Sequence, residues 1–138
     1  MAVTQISVFV ENKPGRFAEI STRLERAKVK TLAFCIADAG DFGIIRLVVN
    51  RPELATKALK GFAESSIHVI ATSITKKFSV SKIAVLLRSK KINIDYAYTS
   101  TKPIGGNPTL ILRVDDIART EKALKEKGAK VLVQEDLS

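Results

Sequence analysis

The residues best placed to bind a small ligand lie at one turn, Asn12-Lys13-Pro14-Gly15, which joins an alternating apolar strand to an amphipathic helix. A helix that begins at a glycine turn leaves its first N–H groups open, and the helix dipole favours an anion such as a carboxylate there. Those N–H groups belong to Gly15, Arg16 and Phe17. The Asn12 side chain both donates and accepts hydrogen bonds, which suits a zwitterion. The turn therefore predicts a site for a small carboxylate, with a simple helix-opening turn as the alternative.

Catalytic and metal-binding patterns are missing from the sequence. It has no Gly-x-Ser-x-Gly elbow, no phosphate-binding loop and no dinucleotide fingerprint. The single Cys35 and the single His68 lie in different predicted strands, so they indicate neither a nucleophile with its base nor a metal site. Asp115-Asp116 is better interpreted as a helix cap than as a ligand pair. We therefore predict a non-enzymatic protein with no catalytic residue, no metal and no cofactor.

The lysines and arginines give the 138-residue chain a formal net charge of +9. They are spread over helices and loops without a long basic run, so we interpret them as solvated faces and expect no nucleic-acid partner. No apolar run approaches the roughly 18 residues of a membrane span, and the N-terminus has no export signal. A lone cysteine fits a reducing compartment. We expect a cytoplasmic protein that does not bind membranes.

The turn belongs to a unit with the order strand, helix, strand, strand, helix, strand. Ile6, Val8 and Val10 alternate on one face of the first strand, and the helix that follows carries a stripe at three- and four-residue steps. We predict further strands over 31–37, 43–50 and 66–73. The segment from Asn50 to Glu53 predicts a second helix, capped by Asn50 and running to about residue 64, with Phe62 inward.

The same order recurs about 63 residues later, where Val80, Ile83 and Leu87 reproduce the helix stripe. The remaining predicted strands cover 92–100, 109–114 and 130–134, and Asp115 or Asp116 caps the last helix. No proline- or glycine-rich linker separates the units. We predict an α+β fold in which two ferredoxin-like βαββαβ units, residues 1–70 (the first repeat) and 71–138 (the second repeat), pack as a pseudo-dimer. An antiparallel sheet would form one side and the helices the other.

Two segments carry a resemblance to a known family. Phe9-Val-Glu-Asn-Lys-Pro-Gly-Arg-Phe17, followed by Ala18-Glu-Ile-Ser-Thr-Arg-Leu24, resembles the opening of an ACT domain. Lys91-Ile-Asn-Ile-Asp-Tyr-Ala-Tyr98 resembles the junction between the first helix and second strand of that domain. ACT domains are small regulatory βαββαβ modules that commonly bind amino acids between two copies. The resemblance covers nearly the whole chain and implies a tandem ACT protein, expected to be a homodimer, that signals amino-acid binding to a metabolic enzyme or regulator.

The resemblance also implies where the amino acid would bind. In ligand-binding members such as the regulatory domain of phosphoglycerate dehydrogenase, one asparagine precedes the Pro-Gly turn and another begins the second strand of the neighbouring copy. These roles fall on Asn12 and Asn93, whereas Thr75 and Lys30 stand at the counterpart positions. The Pro14-Gly15 pair is likewise replaced in the second repeat, by Lys77-Phe78. The resemblance therefore implies one composite pocket rather than two.

Three more residues complete the predicted site. Glu11 or Asp95 would face the ammonium group of the ligand. Tyr96 would form a wall, although packing between the repeats is an equal alternative for Tyr96 and Tyr98. The predicted ligand-binding residues are Glu11, Asn12, Pro14, Gly15, Arg16, Phe17, Asn93, Asp95 and Tyr96.

Two other functions remain open from the sequence. RNA-recognition domains share the βαββαβ order, so a basic nucleic-acid-binding module is the main alternative, although the strands at 43–49 and 109–114 lack the aromatic residues that stack bases. The segment from Val114 to Leu132 also resembles a unit of the vicinal-oxygen-chelate superfamily. Enzymes of that superfamily usually need metal ligands, and one histidine is too few for such a site.

Overall fold

The computed structural model describes residues 2–138 and folds them into a single curled sheet of six strands with four α-helices. The elements in chain order are β1 (Val3–Glu11), α1 (Arg16–Arg26), β2 (Thr31–Ala39), β3 (Phe42–Val49), α2 (Pro52–Ala58), β4 (Ala63–Ser73), α3 (Val80–Ser89), β5 (Ile94–Thr99), β6 (Thr109–Val114), α4 (Ile117–Glu126) and a 3₁₀ helix (Gln134–Leu137). The predicted α+β fold, with the βαββαβ order written twice, is confirmed.

Strand β4 is common to both repeats. The sheet order is β2-β3-β1-β4-β6-β5, with every neighbouring pair antiparallel. Residues 63–69 of β4 pair with β1, and residues 70–73 pair with β6. The strand therefore continues without a break across residue 70, where we divide the repeats, and that division stays a prediction.

The two outermost strands of the sheet meet at one point. An antiparallel bridge joins Ala33 of β2 to Ser100, just after β5, and the Thr101 N–H donates to the Leu32 carbonyl at 2.8 Å. The sheet therefore curls and encloses its inner face. A core cluster with members from both repeats fills that interior and consists of Val3, Ala33, Val48, Val69, Ala71, Ile111, Leu132 and Leu137.

The helices cover the outer face, and each repeat has its own core beneath them. In the first repeat, Ile6 and Val8 of β1 pack against Ile20 and Leu24 of α1. In the second, Ile83 and Leu87 of α3 pack in a cluster with buried residues of β6. The predicted stripe of α1 is confirmed, and so are Ile83 and Leu87 in that of α3. Val80, the first residue of α3, was wrongly predicted in the same stripe and is 50% exposed. Within residues 2–138, no helix has the length and apolar content needed to span a membrane.

Three local predictions were wrong. Helix α2 ends at Ala58 rather than near residue 64, because the chain turns at Gly61 with a φ of +100° that favours glycine. Asn50 does not cap α2, since its Oδ1 accepts a hydrogen bond from the Lys30 N–H instead. The predicted strand at 130–134 is reduced to a bridge between Thr72 and Val131, and the chain then enters the 3₁₀ helix.

Candidate functional site

The turn before α1 presents its backbone donors to solvent. Gly15 has a φ of +89° and forms the N-terminal boundary of α1, which has no side-chain cap. The Arg16 N–H makes only a long hydrogen bond of 3.4 Å to the Lys13 carbonyl. The N–H groups of Gly15 and Phe17 find no acceptor within residues 2–138. The open helix start that the sequence predicts is therefore present in the first repeat.

Asn12 is held beside this turn by the β2–β3 hairpin. Its N–H donates to the Asp41 carbonyl at 2.9 Å. Its side-chain Nδ2 donates to Asp38 Oδ1 at 3.4 Å and to the Gly40 carbonyl at 3.3 Å. These contacts use the donor half of the amide, so the Oδ1 atom remains able to accept a hydrogen bond from a ligand.

The matching turn of the second repeat is closed by its own residues. Thr75 Oγ1 accepts from the Phe78 N–H at 3.0 Å, and the Thr75 N–H donates to the Phe78 carbonyl at 3.1 Å. Ser79 caps α3, since its Oγ accepts from the Lys82 N–H at 3.2 Å. A capping side chain satisfies a helix-start donor that a ligand would otherwise use. The two repeats therefore differ at this position.

Glu11 lies beside the open turn, but two cations already surround its carboxylate. Lys13 Nζ is 2.7 Å from Glu11 Oε2, and Arg16 Nη2 is 3.4 Å from Oε1. The hydrogen bond and charge of Lys13 lower the pKa of Glu11, with a smaller contribution from Arg16. Glu11 is therefore ionised at neutral pH and is paired within its own segment.

Asn93 is anchored at the start of β5. Its N–H donates to Asp115 Oδ1 at 3.2 Å, and its side-chain Nδ2 donates to Asp95 Oδ1 at 2.8 Å. It lines an open depression of about 420 Å³ together with Arg88 and Lys91. Asp95, another residue of the predicted site, thus contacts Asn93 directly, and two cationic side chains border the same depression.

The edges of β2 and β5 face each other where the sheet curls, and we call the boundary between them the seam. Asn12, which contacts Gly40 of the hairpin, and Asn93, before β5, lie toward the same end of it. Continuing the antiparallel register from the Ala33–Ser100 bridge would place Asn93 opposite Gly40, whose carbonyl accepts from Asn12. The two strands do not pair beyond that bridge, however, and the two asparagines share no hydrogen bond within residues 2–138. Their composite pocket stays a prediction.

At the other end of the seam, a cavity of about 730 Å³ separates the repeats. The first repeat contributes Lys30, Leu32 and two stacked rings, Phe17 and Phe34, whose centroids are 5.2 Å apart. The second repeat contributes the loop 101–104. Sequence reasoning placed only Phe17 in a ligand site. The loop between β5 and β6 is longer than the loop between β2 and β3, and that extra length was the one signal in the sequence for the other lining residues.

Tyr96 and Tyr98 join the repeats through a buried glutamine. Gln5 is fully buried, and its Nε2 donates to the Tyr96 hydroxyl at 2.7 Å. The Tyr98 hydroxyl donates to Gln5 Oε1 at 2.6 Å. The Arg46 guanidinium lies 3.9 Å from the centre of the Tyr96 ring. Both tyrosines therefore take part in packing between the repeats, and a ligand contact by Tyr96 stays a prediction.

Cys35, His68 and Asp116 are the remaining residues weighed for chemistry in the sequence, and they lie in β2, in β4 and at the start of α4. Within residues 2–138, no three histidine, cysteine, aspartate or glutamate side chains are grouped so that they could hold a metal ion. Cys35 is a half-buried free thiol in β2. The backbone carbonyl of His68 accepts from Arg113 at 3.2 Å. Asp116 caps α4 by accepting from the Arg119 N–H, as one of the two predicted alternatives requires.

A family model described as an ACT domain pair matches residues 1–138. The chain belongs to the ACT domain pair family. Among solved structures, protein BT0572 from Bacteroides thetaiotaomicron is 31% identical, with a TM-score of 0.85 over 99% of this chain and 96% of that one. The regulatory subunit of aspartate kinase from Thermus thermophilus is 14% identical, with a TM-score of 0.65 over 91% of this chain and 90% of that one. No curated protein matches the sequence.

The similar structures match both repeats of this chain rather than one of them. The aspartate kinase regulatory subunit from Thermus flavus gives a similar result, with 15% identity and a TM-score of 0.63. At such low identity these two subunits share the fold with the present ACT pair. The predicted family is confirmed by the match over both repeats.

Proposed function

We propose that this ACT pair is a regulatory module that binds an amino acid at the Asn12–Phe17 turn and passes its occupancy to a partner protein. One observation carries the proposal. The first repeat leaves its helix-start N–H groups open at Gly15 and Phe17, whereas the second closes the matching turn with Thr75 and Ser79. A difference of this kind between related repeats is expected if one turn serves a ligand and the other serves only the fold.

The chemistry of the turn suits the main chain of an amino acid. The carboxylate would accept from the N–H groups of Gly15 and Phe17 with help from the helix dipole. The ammonium would donate to Asn12 Oδ1, and Asn93 would approach from the other side of the seam. Glu11 is already paired with Lys13 and Arg16, so the ammonium would meet it only by displacing one of them.

Binding on both sides of the seam would change how the repeats are held together. A ligand that contacts Asn12 and Asn93 at once would favour arrangements in which β2 and β5 approach each other at that end. A partner that prefers the same arrangement would then feel the ligand as a coupling free energy. The Thermus thermophilus relative is a regulatory subunit of aspartate kinase. For the present chain we propose a metabolic enzyme or regulator as partner, a homodimeric state and a cytoplasmic location.

A thermal-shift screen against the twenty amino acids tests the binding step. A ligand present at about 100 times its Kd adds about 2.7 kcal/mol of stability, which raises the Tm by several degrees in a chain of this size. We expect one amino acid or one chemical group of them to raise the Tm. The shift should disappear in Asn12→Ala and in Asn93→Ala.

The counterpart positions of Asn12 and Asn93 provide matched controls, one in each repeat. Thr75→Ala and Lys30→Ala change the counterpart positions and should leave the shift intact. If Lys30→Ala abolishes the shift while Asn12→Ala does not, the ligand occupies the cavity at the other end of the seam. Two equal sites per chain in isothermal titration would contradict the single composite pocket, and no shift from any amino acid would contradict the proposed ligand class.

A further inference from the structure

The outer face of α3 carries an apolar groove of about 540 Å³. Phe78 and Leu86 form its floor, where they also pack against the core of the second repeat. Val85 lies in the groove with 48% of its surface exposed. An exposed apolar side chain on its own would be unremarkable in any protein, but here the exposed Val85 lines one groove together with the half-buried Phe78 and Leu86.

The fold itself does not require an apolar surface there. The equivalent positions on α1, about 63 residues earlier, are Glu19, Thr22 and Arg23 where α3 has Lys82, Val85 and Leu86. Glu19 forms ion pairs with Arg16 at 3.2 Å and Arg23 at 3.7 Å. This helix face thus carries two paired charges and a threonine in the first repeat, where the second repeat has one lysine and two apolar residues.

The rim of the groove is positive. Lys77, Lys82 and Lys127 line it, and no acidic side chain does. These three lysines form no salt bridge within residues 2–138. The neighbouring lysines of α4, by contrast, are paired with Glu121 and Glu126. The groove therefore combines an apolar floor with a positive charge that the protein does not itself neutralise.

We propose that this groove docks an acidic amphipathic helix of a partner protein. Such a helix would place its apolar stripe on Phe78, Val85 and Leu86 and its carboxylates over the rim lysines, a common mode of peptide recognition. A second copy of this chain would bring lysine against lysine across a symmetric contact, which is unfavourable. The proposal rests on the regulatory function above only in requiring a partner, and it involves no residue of the amino-acid site.

The test uses the full-length protein without amino acid, so its result is separate from that of the ligand screen. The probe is a fluorescent helical peptide of about 18 residues, long enough to fold on binding, with leucines at helical spacing and glutamates on both flanks. A matched peptide keeps the leucines and replaces every glutamate by lysine. Fluorescence polarisation at several salt concentrations should show binding of the acidic peptide only, and the affinity should fall as salt rises.

Two variants locate the binding site, and each borrows the residue found at the equivalent position of α1. Val85→Thr and Lys82→Glu should each weaken acidic-peptide binding by at least about fivefold. Lys57→Glu on α2 changes the net charge by the same amount as Lys82→Glu and should leave binding unchanged. Because Val85, Lys82 and Lys57 are exposed, circular dichroism should show that all three variants fold.

Four results would overturn the proposal. The acidic peptide could bind no better than the lysine peptide, or Lys57→Glu could weaken binding as much as Lys82→Glu. Phosphatidylserine-containing vesicles could sediment the protein through Val85 while the peptide does not bind, which would indicate a membrane surface. Val85→Thr could instead convert a dimer to a monomer in sedimentation velocity, which would assign the groove to a second copy of the chain.

Discussion

Gln5 in the first repeat and Tyr98 in the second are joined by a hydrogen bond of 2.6 Å from the tyrosine hydroxyl to Gln5 Oε1. The same carboxamide donates through Nε2 to the Tyr96 hydroxyl at 2.7 Å and to Ser7 Oγ at 3.2 Å. One fully buried side chain therefore connects β1 of the first repeat to β5 of the second. Burial of this cluster raises the pKa of Tyr98, so its hydroxyl remains a donor at physiological pH.

Replacing Gln5 should destabilise the contact between the repeats. In Gln5→Leu both tyrosine hydroxyls lose their partner in a poorly solvated position, and each unsatisfied group costs about 1–3 kcal/mol. We expect the free energy of unfolding to fall by about 2–4 kcal/mol in urea denaturation. Adding Tyr98→Phe removes one of the orphaned hydroxyls, so the double variant should be less destabilised than the sum of the two single variants. Strict additivity would show that the hydrogen bond contributes nothing.

Gly15→Ala should lower stability by about 1 kcal/mol, because an alanine at a φ of +89° is strained. The new Cβ would meet no atom within 4 Å, so the effect comes from the backbone alone. Gly43→Ala is the matched control, since Gly43 has no positive φ and its Cβ would make only ordinary contacts. Equal Tm values for Gly15→Ala and wild type would mean that the turn can change its conformation at little cost.

The pH dependence of stability should include a contribution from Glu11. Its folded-state pKa lies below the ordinary value of 4.5, mainly through the hydrogen bond from Lys13. The resulting stabilisation is present above pH 4.5 and is lost as the pH falls through the lowered pKa. In Lys13→Ala the pKa of Glu11 should rise toward its ordinary value in a carboxyl NMR titration. The exposed Lys57→Ala serves as the control, and an unchanged Glu11 titration in Lys13→Ala would contradict the assignment to Lys13.

Separate fragments 1–70 and 71–138 should not fold independently. The division cuts β4 within its pairing with β6, one residue beyond the end of its pairing with β1, and the interior cluster draws on both fragments. We expect circular dichroism spectra without a cooperative thermal transition. A fragment ending at Ser73 keeps the whole of β4 and separates loss of the strand from loss of the interior cluster. Cooperative unfolding of 1–70 alone would show that residue 70 is a true domain boundary.

The helices and strands could be predicted largely because their apolar periodicity is local. Ile20 and Leu24 of α1, for example, are buried as the stripe requires. Gln5 could not be recognised in this way. Alternation along β1 places it opposite Ile6, on a face that a flat sheet would expose to water. Both Gln5 and Ser7 are buried because the sheet curls and the ends of β2 and β5 meet, which depends on contacts far apart in sequence.

The candidate site was predictable only in part for the same reason. The sequence shows the glycine turn of the first repeat and the replacement of its asparagine by Thr75 in the second. In the structure, the first turn is open and the second is closed by Thr75. Local patterns in the sequence do not indicate how far β2 and β5 pair beyond Ala33 and Ser100. That pairing decides how closely Asn93 approaches Asn12. For Phe62, the sequence predicted the inward direction of the side chain but not the element that carries it. Phe62 packs inward from a turn after Gly61 rather than from a helix.

Strand β4 has a consequence for how this protein responds to concentration. A pair assembled from two separate chains comes apart on dilution, so its occupancy by ligand depends on the amount of protein as well as on the amount of ligand. Here the two repeats share one continuous strand and face each other at a fixed, high effective concentration. A site formed across their seam would therefore report the level of its ligand in the same way at every expression level of the protein.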